Sequence, residues 1–125
     1  FTPGDHGSTF GGNPLGAVCA LPALAEMEVN DYAGRSATLG ERLKKGLAQI
    51  GHPKVVDIRG KGLLVGMEVA GDVDSKALTK SFVANGILTK ETRSRTFRFA
   101  PPLVVSEDLI DEIVERTAKA LKADC

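Results

Sequence analysis

The stretch 14–29 is apolar on nearly every side when it is drawn as a helix. Asn13 and Pro14 are residues that favour the cap and the first turn of such a helix. Its large apolar side chains are Leu15, Val18, Cys19, Leu21, Leu24 and Met27. A helix without a polar face is normally covered on all sides, so the sequence predicts a buried helix. Pro22 predicts a kink or a local break within it.

The length of the chain limits what can cover such a helix. A chain of 125 residues fits one domain, but it is small for a whole enzyme with its own cleft. The first residue is Phe1 and the first methionine is Met27. We therefore expect a piece of a longer protein, with a larger body that packs against the helix.

The rest of the chain alternates between helical and strand-like periodicity. Helices are predicted at 31–50, at 74–85 and from Ser106 onward, and strands at 55–59, 63–69, 87–90 and 96–99. Gly60-Lys61-Gly62 predicts a hairpin between the first two strands. The core stripes are Leu39, Leu43, Leu47 and Ile50 in one helix, and Leu109, Ile110, Ile113, Val114, Ala118 and Leu121 in the last. This order predicts an α+β fold, a small mixed or antiparallel sheet with helices on one face.

The glycine-rich loop 4–13 is the densest polar cluster of the sequence. Its glycines allow a close approach of the backbone to a ligand, and Ser8 and Thr9 supply hydroxyl groups. The loop leads into a helix whose first amides and dipole favour an anion, so the pattern suits a phosphate. The alternative is a plain turn capped by Asn13. No Gly-Lys-Ser/Thr follows at the spacing of a nucleotide-binding loop.

A second candidate site is the basic cluster around Arg98, where arginines alternate with phenylalanines. Alternation along a strand places Arg98 on the face opposite Phe97 and Phe99. Two interpretations stay open, a solvated edge strand and a guanidinium that binds a carboxylate in a bidentate manner. Gly60 to Gly66 has the wrong spacing for a dinucleotide fingerprint and precedes a strand. We interpret Arg59 and Lys61 as solvated charges that flank a hairpin turn.

Composition excludes several classes of function. Lys and Arg number 16, as do Asp and Glu, so the net charge is zero and a nucleic-acid or anionic-membrane partner is not expected. Two cysteines are too few for a disulfide scaffold, and no residues lie at metal-ligand spacing. We expect Cys19 to be a small buried apolar residue, Cys125 to remain unpaired, and the compartment to be the cytoplasm.

Three blocks of the sequence resemble the class III, or subgroup II, aminotransferases. They are residues 4–15, Arg59-Gly60-Lys61-Gly62-Leu63 and Arg98-Phe99-Ala100-Pro101-Pro102-Leu103. The resemblance implies a fold type I enzyme that uses pyridoxal 5'-phosphate (PLP). It also implies that Thr9, with Ser8 beside it, binds the cofactor phosphate across a homodimer interface. Arg98 matches the arginine that binds the α-carboxylate of glutamate. Within the family, the first and last blocks are most similar to the ornithine aminotransferases, with the acetylornithine aminotransferases as near neighbours.

The residues that carry the chemistry of this family lie upstream of the first block. They are the Schiff-base lysine, the aspartate at the pyridine nitrogen and an aromatic residue that stacks on the ring. The resemblance therefore implies that residues 1–29 end a large domain, that 30–125 form the C-terminal small domain, and that the chain alone has no catalytic residue and is inactive. A non-catalytic α+β module that binds a ligand or partner is the alternative from another class of function.

Overall fold

The computed structural model of the protein describes residues 2–93 and 95–124. The chain divides into two compact units, Phe1–Tyr32 and Ala33–Cys125. The helices are α1 Pro14–Val29, α2 Tyr32–Gln49, α3 Ser75–Ala84 and α4 Glu107–Asp124. The strands are β1 Val55–Lys61, β2 Leu64–Val69, β3 Lys90–Thr92 and β4 Thr96–Phe99. The predicted order of helices and strands is confirmed.

The four strands form one antiparallel sheet in the order β1-β2-β4-β3. The last two residues of β1 pair with the first two of β2, so the connecting turn lies at residues 62–63. The predicted hairpin is confirmed, but its turn was misplaced at 60–62, because the edge strand β1 tolerates a glycine and continues through Lys61. Gly62 adopts a φ of +54°, and the Leu63 N–H donates to Ser36 Oγ at 3.1 Å.

The core lies between one face of this sheet and the helices of the second unit. Its buried residues are Leu39, Leu43, Leu47, Leu63, Val65, Met67, Val69, Leu78, Phe82, Ile87, Phe97, Phe99, Val105, Ile110, Ala120 and Leu121. The stripe predicted for α2 is confirmed by Leu39, Leu43 and Leu47. The stripe predicted for α4 needs one correction, since Leu109 is exposed. Thr117, Ala120 and Leu121 of α4 are buried, and the Thr117 hydroxyl donates to the Ile113 carbonyl oxygen.

Local chemistry determines where the helices of the second unit begin and end. Asp74 caps α3 by accepting hydrogen bonds from the N–H groups of Lys76 and Ala77, and Ser106 Oγ accepts from the Leu109 N–H. At the end of α3 the Ile87 N–H donates to the Phe82 carbonyl oxygen at 2.8 Å. This bond belongs to the helix end and not to a strand. The predicted strand at 87–90 was therefore wrong, and pairing with β4 begins at the last of those residues.

Helix α1 differs from the expectation in its burial. No residue of α1, all of which the structure describes, is buried, and Leu21 and Val29 are 70% and 83% exposed. The predicted burial was wrong for the chain by itself, because α1 is apolar on nearly every side and the described residues of the first unit form no second complete helix and no sheet that could cover it. Cys19 is likewise exposed and free. The helix continues unbroken through Pro22.

A membrane-spanning helix requires a long run of apolar residues. Among the helices formed by residues 2–93 and 95–124, none combines the length and hydropathy needed to cross a bilayer.

Candidate functional site

The loop before α1 presents Ser8 and Thr9 as exposed side chains. Its first turn is closed by Asp5, whose carboxylate accepts from the Thr2 N–H at 2.7 Å. This backbone hydrogen bond from Thr2 lowers the pKa of Asp5. Further along, Gly12 adopts a φ of +76°, a conformation that side chains with a Cβ rarely adopt. The Asp5 turn and the Gly12 conformation thus define the two ends of the loop. Between them, the hydroxyl groups of Ser8 and Thr9 are accessible to a ligand.

The N-terminus of α1 offers fewer amides than the sequence suggested. Pro14 has no N–H group, the Leu15 N–H donates to Asn13 Oδ1 at 2.9 Å, and the Ala17 N–H donates to the Asn13 carbonyl oxygen. Of the first four helical positions, only Gly16 is left to offer its N–H to an outside anion. The predicted cap at Asn13 is confirmed. If this loop binds a phosphate, the hydroxyl groups of Ser8 and Thr9 would contribute more than the helix end.

Arg98 lies on an inner strand of the sheet. It is part of β4, which pairs with β2 on one side and β3 on the other, so the interpretation as a solvated edge strand was wrong. Its Cα partners across these pairs are Gly66 and Lys90. The flanking residues Phe97 and Phe99 are buried in the core and Arg98 is exposed, as the alternation predicts. Within residues 2–93 and 95–124, no carboxylate is hydrogen-bonded to the Arg98 guanidinium.

A charge network occupies the part of the open sheet face nearest β1. Arg59 Nη1 donates to Asp57 Oδ2 at 2.5 Å and to Glu68 Oε2 at 2.8 Å, and Arg95 Nη2 donates to Glu68 Oε1 at 3.0 Å. The hydrogen bonds to Asp57 and Glu68 raise the pKa of Arg59. Arg59 and Lys61 are both exposed, as predicted, but the sequence did not show that Arg59 is paired with two carboxylates.

Sequence reasoning missed this network because it depends on strand register. Glu68 lies on β2, and only the pairing of β2 with both β1 and β4 brings Arg59 and Arg95 to the same carboxylate. The available signal was the alternation of charged residues along three strands. That signal needs the order of the strands before it can be used.

The residues that the structure describes form neither a metal-binding cluster nor a disulfide bond. No group of three or more His, Cys, Asp or Glu side chains among them is placed to hold a metal ion. Cys19 is a free thiol, and Cys125 lies outside the described residues. The candidate contacts are therefore the hydroxyl groups of Ser8 and Thr9 in the first unit and the guanidinium of Arg98 in the second.

Comparison with known proteins identifies the family. The model of the class-III aminotransferases matches residues 1–121. This chain belongs to that family. The ornithine aminotransferase of Staphylococcus carnosus (strain TM300) is 42% identical over 119 residues, which are 95% of this chain and 30% of that protein. The chain therefore spans less than a third of the length of this relative.

Solved structures agree with this membership. One match is the crystal structure of the ornithine aminotransferase from Toxoplasma gondii ME49, with a TM-score of 0.86 and 38% identity. The match covers 98% of this chain and 30% of the Toxoplasma chain. The acetylornithine aminotransferase from Elizabethkingia anophelis matches 98% of this chain and 33% of its own, with a TM-score of 0.85 and 32% identity. The predicted α+β class, as a part of a fold type I aminotransferase, is confirmed.

Proposed function

We propose that this chain is the C-terminal portion of a PLP-dependent ornithine δ-aminotransferase. Such an enzyme transfers the δ-amino group of ornithine to 2-oxoglutarate and yields glutamate semialdehyde and glutamate. The observation that carries the proposal is 42% identity to an ornithine aminotransferase over 95% of the chain. Because the match covers only 30% of that protein, the reaction belongs to the longer enzyme. Residues 1–29 then end its large domain, and 30–125 form its small domain.

Ser8 and Thr9 are the residues that would hold the cofactor phosphate. Both are exposed, and a Cβ built on the neighbouring Gly7 meets nothing within 4 Å, so the loop leaves room for a bulky anion. Hydroxyl groups donate hydrogen bonds to phosphate oxygens readily. When it is bound, PLP supplies the electron sink of the reaction. The role of this loop is to anchor the phosphate and so to fix the position of the cofactor.

Arg98 would bind the α-carboxylate of glutamate or 2-oxoglutarate. Its guanidinium can donate two parallel hydrogen bonds to one carboxylate, which fixes orientation as well as position. A site on an inner strand is held more precisely than a site on a loop, and β4 has a partner strand on each side. The two flanking phenylalanines are buried, which anchors the backbone of Arg98 and leaves its side chain to the substrate.

The chain by itself would not transaminate, because the imine lysine of the family belongs to the upstream part of the enzyme. We infer that this upstream part is the main partner, that the complete enzyme is a homodimer, and that it acts in the cytoplasm. The phosphate contact of Thr9 then serves the active site of the neighbouring subunit.

The test is to incubate the 125-residue chain with PLP, reduce it with borohydride, and map the products by mass spectrometry. We expect no lysine to be modified stoichiometrically, because none occupies the Schiff-base position. As a matched control, a complete ornithine aminotransferase treated in the same way acquires one adduct per active site. A single stoichiometric adduct on this chain would contradict the division of the enzyme proposed here and would favour a chain with its own cofactor chemistry.

A further inference from the structure

Two cationic residues, Lys90 and Arg98, are paired across neighbouring strands on the open side of the sheet. Lys90 of β3 is the Cα partner of Arg98 of β4, so both side chains leave the same face of the sheet. The Thr89 hydroxyl donates to the Arg98 carbonyl oxygen at 2.8 Å and fixes the start of β3 beside Arg98. Like charges directly opposite each other destabilise a sheet. An arrangement with this cost is expected where an anion is to be bound.

The carboxylates on this face are engaged elsewhere. Glu68 uses one oxygen for Arg59 and the other for Arg95, and Asp57 is paired with Arg59. Among residues 2–93 and 95–124, neither Lys90 nor Arg98 has a salt bridge to a carboxylate. On the open face, carboxylates thus neutralise the charges of Arg59 and Arg95. In the described part of the chain they do not neutralise those of Lys90 and Arg98.

Gly66 keeps the approach to Arg98 open. It lies on β2, directly between Arg59 of β1 and Arg98 of β4 in the cross-strand row. A Cβ built at Gly66 would lie 3.1 Å from Thr96 Cγ2, so even a methyl group crowds this row. Because Gly66 has no side chain, nothing from this position of β2 lies over Arg98, and Lys90 is its partner on the β3 side.

We propose that Lys90 is a second substrate-binding residue, which forms an anion site together with Arg98 and selects small dicarboxylates. The proposal rests on the proposed function, in which Arg98 binds the carboxylate of 2-oxoglutarate or glutamate. The attraction between a second cation and an anion grows with the charge of the anion. A dianionic oxo acid therefore gains more from Lys90 than a monocarboxylate does.

The test is a titration of the 125-residue chain with 2-oxoglutarate at low ionic strength, followed by amide chemical shifts. Acetate serves as the monocarboxylate probe, and sodium chloride at matched ionic strength controls for screening. The variants are Lys90→Gln and Arg98→Gln. Lys45→Gln is the matched control, since Lys45 is an exposed lysine on α2. Circular dichroism verifies that each variant keeps its helix and strand content.

We expect 2-oxoglutarate to shift the amides of β3 and β4 in a saturable way. Lys90→Gln should weaken 2-oxoglutarate binding about threefold, as fits an exposed charge contact, and should weaken acetate binding less. Lys45→Gln should bind as the wild type does. Without ligand, Lys90→Gln should also raise the melting temperature at low salt, because it removes the repulsion with Arg98. A purely structural lysine would not produce this combination.

Equal affinity of the wild type and Lys90→Gln would overturn the proposal. If Arg98→Gln still weakens binding in that case, the proposed function stands without Lys90. If neither variant changes the affinity, the substrate role of Arg98 fails as well. A wild-type chain that shows no saturable shift overturns the anion site, and the borohydride experiment then tests the family assignment independently.

Discussion

The helices α1 and α2 have similar lengths but opposite relations to their surroundings. α2 is amphipathic, and Leu39, Leu43 and Leu47 form one stripe that is buried in the core. α1 has apolar side chains on nearly every side, and none of its residues is buried. A helix with a single apolar stripe needs cover on one side only, and the α2 stripe is part of the core of the second unit. A helix that is apolar all round needs a surrounding body, which the first unit does not contain.

The same contrast separates the two candidate contacts. Arg98 lies on a strand whose neighbouring side chains are fully or almost fully buried, so the core of the second unit holds it in place. Ser8 and Thr9 lie in a loop where every described residue is exposed. The backbone position of Arg98 is therefore fixed by packing within this chain. No such packing fixes Ser8 and Thr9 among the residues that the structure describes.

The largest expected difference between the units comes from deleting an apolar side chain. Phe82 is fully buried, with ring centroids 5.2 Å from Phe97 and 5.9 Å from Phe99. Phe82→Ala should lower the free energy of unfolding by about 3–5 kcal/mol, as measured by urea denaturation. Leu21→Ala in α1 is the matched control and should change it by less than about 0.5 kcal/mol. Equal effects of the two substitutions would contradict the contrast.

Glycine-to-alanine changes should have opposite signs in α1 and α2. A Cβ built at Gly40 in α2 lies 2.1 Å from the Gly62 carbonyl oxygen, whereas nothing lies within 4 Å at Gly16 in α1. Gly40→Ala should destabilise the chain by about 1–3 kcal/mol because backbone must move. Gly16→Ala should increase helix content, since alanine favours helices by about 1 kcal/mol over glycine. Circular dichroism during urea unfolding measures both effects. A neutral Gly40→Ala would show that the close packing of α2 on the hairpin turn is not maintained in solution.

Protonation of Asp111 in acid should lower the free energy of unfolding of the second unit. This is the smallest of the expected effects. Arg42 donates two hydrogen bonds to Asp111 and joins α2 to α4, and this contact lowers the pKa of Asp111 below its ordinary value of 3.8. The stabilisation is thus complete above that ordinary value and is lost as the pH falls through the lower pKa of the folded state. We expect the free energy of unfolding of Asp111→Asn to depend less on pH than that of the wild type below about pH 4.

Asp5 provides the matched control for this acid effect. Its pKa is also lowered, by the Thr2 N–H, but it closes a turn in the exposed loop of the first unit. Asp5→Asn should leave the acid dependence of global unfolding unchanged. A wild-type curve that matches Asp111→Asn at every pH would contradict the role of the Arg42 contact.

Local features were the part of the fold that the sequence could predict. The caps Asn13, Asp74 and Ser106 act within a few residues, so their chemistry is visible in the sequence. The turn of the hairpin and the start of β3 were misplaced, because both depend on which residues pair across strands. Pairing with β2 extends β1 through Lys61, and the hydrogen bond from the Ile87 N–H to the Phe82 carbonyl oxygen assigns Ile87 to the end of α3.

The candidate site shows the same division. Alternation along one strand was enough to place Arg98 opposite its buried neighbours. The pairing of Lys90 with Arg98 and the engagement of Glu68 with two arginines required the register of three strands. The roles of Ser8, Thr9 and Arg98 toward a cofactor and a substrate stay predictions, because they concern molecules that bind to the complete enzyme.

The most direct test is hydrogen exchange of the backbone amides. It shows whether the second unit is stably folded while α1, which has no buried residue, is only marginally stable. An exposed helix of this length is marginal in water without tertiary packing. We predict that the amides of α1 exchange with little protection, whereas those of β2, β4 and α4 exchange only through global unfolding. Protection of α1 as strong as that of α4, in a chain shown to be monomeric, would contradict the account.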